Sequence, residues 1–319
     1  MRDFTIQLLQ MTLVLALAPL LTGLVRKVKA RFQRRLGPPL IQPYRDLRRL
    51  IGKDVVMAEQ ASWLFRVAPY AIFGCIWVAA ALVPTFATGL MFSWSGDLIV
   101  IAGLLGTARF IQALAGMDIG TSFGGIGASR EVMIASLAEP AMIMIIFSVA
   151  LIAGSTQLSV VADHMLTAHV GLRVSLALAL VALLIVALAE NARIPADNPA
   201  THLELTMVHE AMVLEYSGRH LAMIELGAAV KLLLYMSMIA CIFFPLGLAG
   251  GLSGARVSVA ALLLGAATYA VKLVIGGALL GTFEMSIAKM RVFRLPNFVG
   301  GALMLSLLGV LLLFVSRGM

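Results

Sequence analysis

Eight long apolar runs constrain this chain more than any other feature, at about residues 4–25, 67–88, 97–116, 131–153, 172–192, 219–248, 257–286 and 296–315. About 20 apolar residues carry a helix across the hydrocarbon core of a bilayer, whereas a barrel strand needs only about 9–11. Inside lipid the backbone must satisfy its own hydrogen bonds, which leaves helices or closed barrels. The runs are too long for barrel strands, so the chain is expected to be an all-α integral membrane protein. It would have eight transmembrane helices, with amphipathic helices added at one surface. The sixth and seventh runs exceed one span and should tilt, kink or project. The first run is too long for a signal-peptide core and a basic segment follows it, so it reads as a retained span.

Composition supports the same class. Hydrophobic residues make up 61% of the 319 and charged residues 13%, about half the charge of an ordinary soluble chain. That excludes a water-soluble enzyme, a disordered chain and a disulfide scaffold. Cys75 and Cys241 lie far apart inside apolar runs, without a CxxC, CxxCH or HExxH motif. The chain is therefore expected to hold no metal, haem or iron–sulfur cluster.

The whole chain, 1–319, reads as a single transmembrane domain. Its connections on one side are 26–66, 117–130, 193–218 and 287–295. Those connections, with the adjoining ends of the spans, carry 17 of the 24 lysines and arginines, against four on the opposite side. By the positive-inside rule they face the cytoplasm, and both termini lie on the outer side. Eleven of these basics fall between Arg26 and Arg66, which suits anionic lipid headgroups or a cytoplasmic partner.

An ionisable side chain at mid-membrane costs about 2.5–3.5 kcal/mol on insertion scales, and such residues usually mark ion or proton paths. The runs hold Arg109, Glu139, Glu190, Glu225, Lys231 and Lys272, with Glu284 near a cytoplasmic end. Glu139, Glu190 and Glu225 fall in the cytoplasmic half and the three cations near the middle. No carboxylate occupies an outer half. Protons are thus expected to leave sideways into a neighbouring membrane subunit.

The connections sharpen this. Around Leu40–Ile51 apolar residues recur at helical spacing with Arg45, Asp46, Arg48 and Arg49 between them, an interfacial amphipathic helix. The stretch GMDIGTSFGGIGASRE lacks a GK[ST] and a strand context, so its glycines are expected to permit close backbone approach rather than cradle phosphate. In ENARIPADNPATHLELTMVHEAMVLEYSGRH, Pro195 and Pro199 end the fifth span and Thr201 with Glu204 forms a capping-box pattern. A helix from there would carry His202, Glu204, His209, Glu210 and Glu215 around its circumference.

Gly37-Pro38, Gln42-Pro43 and Asp46 resemble the first cytoplasmic loop of the eight-helix H subunit of respiratory complex I. Ala189-Glu190-Asn191, Arg193, Pro195, Asp197 and Glu215-Tyr216-Ser217-Gly218 resemble its longest loop. THLELTMVHEAMVL (201–214) and GASREVMIASLAEP (127–140) are more similar to the counterpart subunit of membrane-bound group 4 nickel–iron hydrogenases, of the formate hydrogenlyase subunit 4 and hydrogenase-4 component C kind.

The resemblance implies a subunit of an oxidoreductase complex without a redox centre of its own. It would join cytoplasmic hydrogenase large and small (iron–sulfur) subunits to antiporter-like membrane subunits in a prokaryotic inner membrane, with no role for nucleic acid. Nickel–iron and iron–sulfur centres would lie in those partners. A proton path is expected through Asp118, Glu131, Glu139, Glu190, Glu204, Glu210 and Glu215, continuing to Glu225, Lys231 and Lys272. Docking of the redox arm is expected at Arg34, Arg35, Arg45, Asp46, Arg48, Arg130, Arg193 and Asp197. The rival readings are a quinone-site subunit of a complex I-type dehydrogenase and a stand-alone transporter. Broken spans in paired halves mark many transporters, and no internal repeat is evident here.

Overall fold

The computed structural model describes residues 2–89, 91–167, 174–193, 208–249, 259–287 and 294–318. Among them the chain is helical, in the order α1 (Arg2–Phe32), α2 (Gln42–Ile51), α3 (Trp63–Leu82), α4 (Leu98–Asp118), α5 (Ser122–Ala153), α6 (Leu158–Thr167), α7 (Val174–Glu190), α8 (His209–Val213), α9 (Gly218–Ile242), α10 (Val259–Ser286) and α11 (Leu295–Gly318). Seven of these helices are long and apolar enough to cross a membrane, and α7, in the fifth run, is an apolar helix of 17 residues. The chain is an all-α integral membrane protein, with α2 the expected amphipathic helix.

Helix α3 packs between α4 and α9, α11 lies against α5 and α7, and α1 lies against α9 and α10. Two buried glutamines in the first apolar run have specific partners. Gln7 and Gln10 of α1 donate to the carbonyls of Ala81 (2.9 Å) and Val83 (2.7 Å). These are carbonyls that the end of α3 leaves without helical donors, and lipid offers none.

Two helices stop short of their runs. α3 ends at Leu82 and α9 at Ile242, because Pro84 and Pro245 cannot continue a helix. The freed segments pair instead: Ala249 N–H donates to Phe86 O (2.8 Å) and Thr88 N–H to Ala249 O (3.1 Å). On the same side α6 was not anticipated. It is held where Thr156 donates to Asp97 (2.6 Å) and Leu158 N–H to Gly96 O (2.9 Å).

On the basic side two expectations need correction. The glycine-dense stretch is not an irregular connection over 117–130. α5 starts at Ser122, where Thr121 accepts from Gly124 N–H (3.3 Å), and only Ile119–Thr121 separate it from α4. The glycines do serve close approach, within helices: Gly124 sits against the Gly116 carbonyl, and a Cβ on Gly127 would stand 2.8 Å from Val208 O. The second correction concerns the helix carrying Glu210 and Glu215. Residues 194–207, with Asp197, His202 and Glu204, lie outside the described residues. The helix that follows is only α8, and the chain leaves it at Leu214, so Glu215 is not on it. Tyr216 wins over helical continuation: its ring stacks on Phe65 at 3.9 Å and its hydroxyl donates to Phe65 O at 3.2 Å.

The Tyr216-Ser217-Gly218 turn also fastens the segment after α2. Ser217 Oγ accepts from Val56 N–H and donates to Val56 O, both at 2.8 Å. Gly218 has φ +53, and a Cβ there would stand 2.6 Å from Asp54 O. Backbone strain of this kind costs about 1–3 kcal/mol for a residue other than glycine. Gly218→Ala is therefore expected to destabilise by at least that amount, read as a lower unfolding temperature in detergent, with faster proteolysis between α2 and α3.

Candidate functional site

Arg109 lies just past the middle of α4 and is buried, with 6% of its side chain exposed. A guanidinium there needs partners, because an unpaired charge in lipid-like surroundings is costly. Its three nitrogens find three carboxylates on two helices. Nε stands 3.3 Å from Glu131 and Nη1 3.5 Å from Glu139, both on α5, while Nη2 contacts Glu190, the last residue of α7. Lys231 of α9 reaches the other oxygen of Glu190 at 2.9 Å. His209, first residue of α8, brings Nδ1 within 3.0 Å of the second Glu131 oxygen. Five helices thus meet in one ionic network.

The network lies between two cavities. One, of about 510 Å3, opens at the basic end and is lined by Arg26, Asp46, His209, Glu210, Glu225 and Lys231, among other residues. The other, of about 650 Å3, opens on the side of the bundle between α4 and α5, where Ile99, Phe110, Ile143 and Phe147 are exposed. Arg109 and Glu190 line both. Glu139 differs from its partners, because its side chain is 53% exposed and lines only the lateral cavity of the two.

The other candidate residues separate. Asp118 accepts from Ser62 N–H (2.9 Å) at the start of α3, and Lys272 donates to Phe244 O (2.6 Å) beyond the end of α9. Glu225 and Glu210 line the first cavity, and Glu215 is exposed on the surface. Of the docking set, Arg34, Arg35, Arg45 and Arg48 are exposed. Asp46 accepts from Gln42 (3.0 Å) and lies near Arg26 (3.8 Å) and Arg49 (3.6 Å). Arg130 is half-buried on α5. Arg193 turns inward to Glu284 (3.5 Å), which Lys29 also meets at 2.5 Å. Burial holds the Arg193 guanidinium below its usual pKa, and Glu284 opposes that shift.

Sequence reasoning singled out Arg109 as a charge in a span but did not make it the hub. It also weighed His209 only as part of a polar ring. The spacing of the glycines contains the missing signal. Gly127 and Glu131 are one helical turn apart on α5 and share a face. Seating Val208 and Ala211 against Gly127 puts His209 over Glu131.

A multi-pass membrane protein built around a buried ionic network is the class that this fold and site define. A family model described as NADH dehydrogenase matches residues 4–315, and the chain belongs to that family. Formate hydrogenlyase subunit 4 of Escherichia coli K12 is 34% identical over 295 residues, covering 91% of this chain and 92% of that protein. Hydrogenase-4 component C of the same organism is 36% identical over 248 residues, 77% of each chain. A chain of the membrane-bound sulfane sulfur reductase, an archaeal respiratory membrane complex, shares the fold with a TM-score of 0.77 and 22% identity over 98% of this chain and 99% of that one. The protein is thus a membrane subunit of the kind found in hydrogenase and complex I-like oxidoreductases.

Removing one member of a buried ionic group while leaving its partners charged typically costs about 3–5 kcal/mol. Arg109→Met is expected to lose stability on that scale. In a Glu131→Gln, Glu190→Gln background the same substitution should cost much less. Thermal unfolding of the four proteins in detergent checks the difference.

Proposed function

We propose that this chain is the non-redox membrane subunit of a membrane-bound nickel–iron hydrogenase complex of the formate hydrogenlyase kind. It carries a cytoplasmic arm of hydrogenase large and small iron–sulfur subunits, and it stands beside antiporter-like membrane subunits in a prokaryotic inner membrane. It links hydrogen chemistry in the arm to movement of protons or sodium ions. The basic end, with α2 and the long connections, faces the cytoplasm and both termini face outward.

The observation that carries this reading is the Arg109–Glu190 pair between two cavities. An anchor needs no such arrangement. Carboxylates and cations in mutual contact, open to water at one end, are suited to pass a proton along without a continuous pore. Glu225 and Glu210 line the receiving cavity, and Glu131, Glu190 and Lys231 form the interior. Glu139 is the group that leads out. A half-exposed carboxylate beside lipid-facing apolar residues is expensive unless protein covers it, so an antiporter-like neighbour belongs on the α4–α5 face.

Two experiments test the reading. Glu190→Gln is expected to leave the complex assembled but to lower ion translocation per hydrogen formed in reconstituted vesicles by about a hundredfold or more, within the usual range for a proton-transferring group. Translocation at the wild-type ratio refutes the path. Arg45→Glu with Arg48→Glu reverses two exposed charges on α2 and should strip the arm from purified membranes at moderate salt. An arm retained at normal yield refutes docking there.

A further inference from the structure

His209 stands between the basic-end cavity and the buried carboxylates of the network. The buried members pair off: Arg109 and Lys231 supply two positive charges and Glu131 and Glu190 two negative ones, while Glu139 is half-exposed. A net charge is disfavoured in a low-dielectric interior. The imidazole stands 3.0 Å from Glu131 and lines the water-accessible cavity with 19% of its side chain exposed.

We infer that His209 loads protons into the network, taking them from the basic-end cavity and handing them to Glu131. The inference rests on the coupling reading above and names a residue for its first step. The step balances. The neutral imidazole, protonated at Nδ1, takes one proton at Nε2 from a hydronium ion in the cavity, leaving water. It then releases the Nδ1 proton to Glu131 Oε2, 3.0 Å away. The products are a neutral imidazole and a neutral carboxyl, with one proton moved inward.

The surroundings suit this role on each packed element. Glu131 faces the ring from α5, with Arg130 as its neighbour in sequence. From α4, Arg109 holds the other Glu131 oxygen at 3.3 Å, while Asp118 is turned to Ser62. Lys231 of α9 and Glu190 of α7 line the same cavity, and Glu210 is adjacent on α8. Histidine is the side chain whose charge changes most readily near neutral pH. The position is fixed by packing: Met212 stands 3.0 Å from where a Cβ on Gly116 would be, and Ala211 2.9 Å from one on Gly127. α8 therefore cannot slide along α4 and α5 without collision.

The test uses the intact complex in vesicles, with His209→Ala and Glu190→Gln compared with wild type. Added imidazole and its methylated derivatives are the probes, since the cavity has room for them. His209→Ala is expected to slow proton translocation by roughly a hundredfold, in the range of general acid–base groups. Millimolar imidazole should restore a large part of it, at rates that follow the basicity of the derivative. A merely structural histidine would show no such dependence. If His209→Ala translocates normally while Glu190→Gln does not, the loading role is wrong and the coupling reading stands. If both translocate normally, the coupling reading fails as well. A slow His209→Ala complex that no imidazole rescues makes the residue structural and overturns the inference.

Discussion

The geometry of one guanidinium organises the interior of this protein. Arg109 turns each of its three nitrogens to a different carboxylate, two on α5 and one at the end of α7. Burying two carboxylates and a cation beside a third, half-exposed carboxylate is unfavourable one by one, and it becomes tolerable only when the partners are fixed in place. A lysine, with a single compact charge, cannot make the same divergent contacts. The positions of α4, α5 and α7 relative to one another are therefore tied to a single planar group. Lys231 extends the tie to α9 through the second oxygen of Glu190.

The glycines of the 116–127 stretch make that geometry reachable. α4 and α5 approach where Gly124 rests on the Gly116 carbonyl, closer than any Cβ would permit. α8 then settles on the small surface left by Gly116 and Gly127. A five-residue helix has little stability of its own. It holds its place through Met212 and Ala211 in that seat and through Tyr216 stacked on Phe65. Burial, with a smaller contribution from Asp118, keeps the Tyr216 phenol above its usual pKa and so protonated, which preserves its bond to Phe65 O.

Much of this was legible in the sequence because lipid simplifies the code. Run length gave the spans, and charge in an apolar run marked Arg109, Glu139, Glu190 and Lys231 as costly and in need of partners. Periodicity with Arg45, Asp46 and Arg48 gave α2. Helix ends were harder to read: hydropathy continues past Leu82 and Ile242, but Pro84 and Pro245 decide where the helices stop. Partner choice was not legible. Lys272 resembles Lys231 in type and depth, yet it binds a backbone carbonyl freed by the end of α9, whereas Lys231 meets Glu190. Which carboxylate meets which cation depends on how the helices are rotated, and one sequence does not encode that locally. The glycine-rich stretch carried both meanings, connection and close contact, and only packing against α8 distinguishes them.

The shared guanidinium also bears on how a signal crosses between the cavities. Protonating Glu131 weakens its attraction for Arg109 and leaves the cation more fully to Glu190 and Glu139. In a low-dielectric interior such interactions are strong. On the proposed path, a proton arriving from the basic end would change the field at the lateral rim, where Glu139 stands 3.5 Å from the same arginine. The helices hold the charges at contact distance, and the electrostatic coupling follows from that spacing. On the proposed coupling the cavities need not join, since a change of charge at the Arg109–Glu190 contact would pass between them.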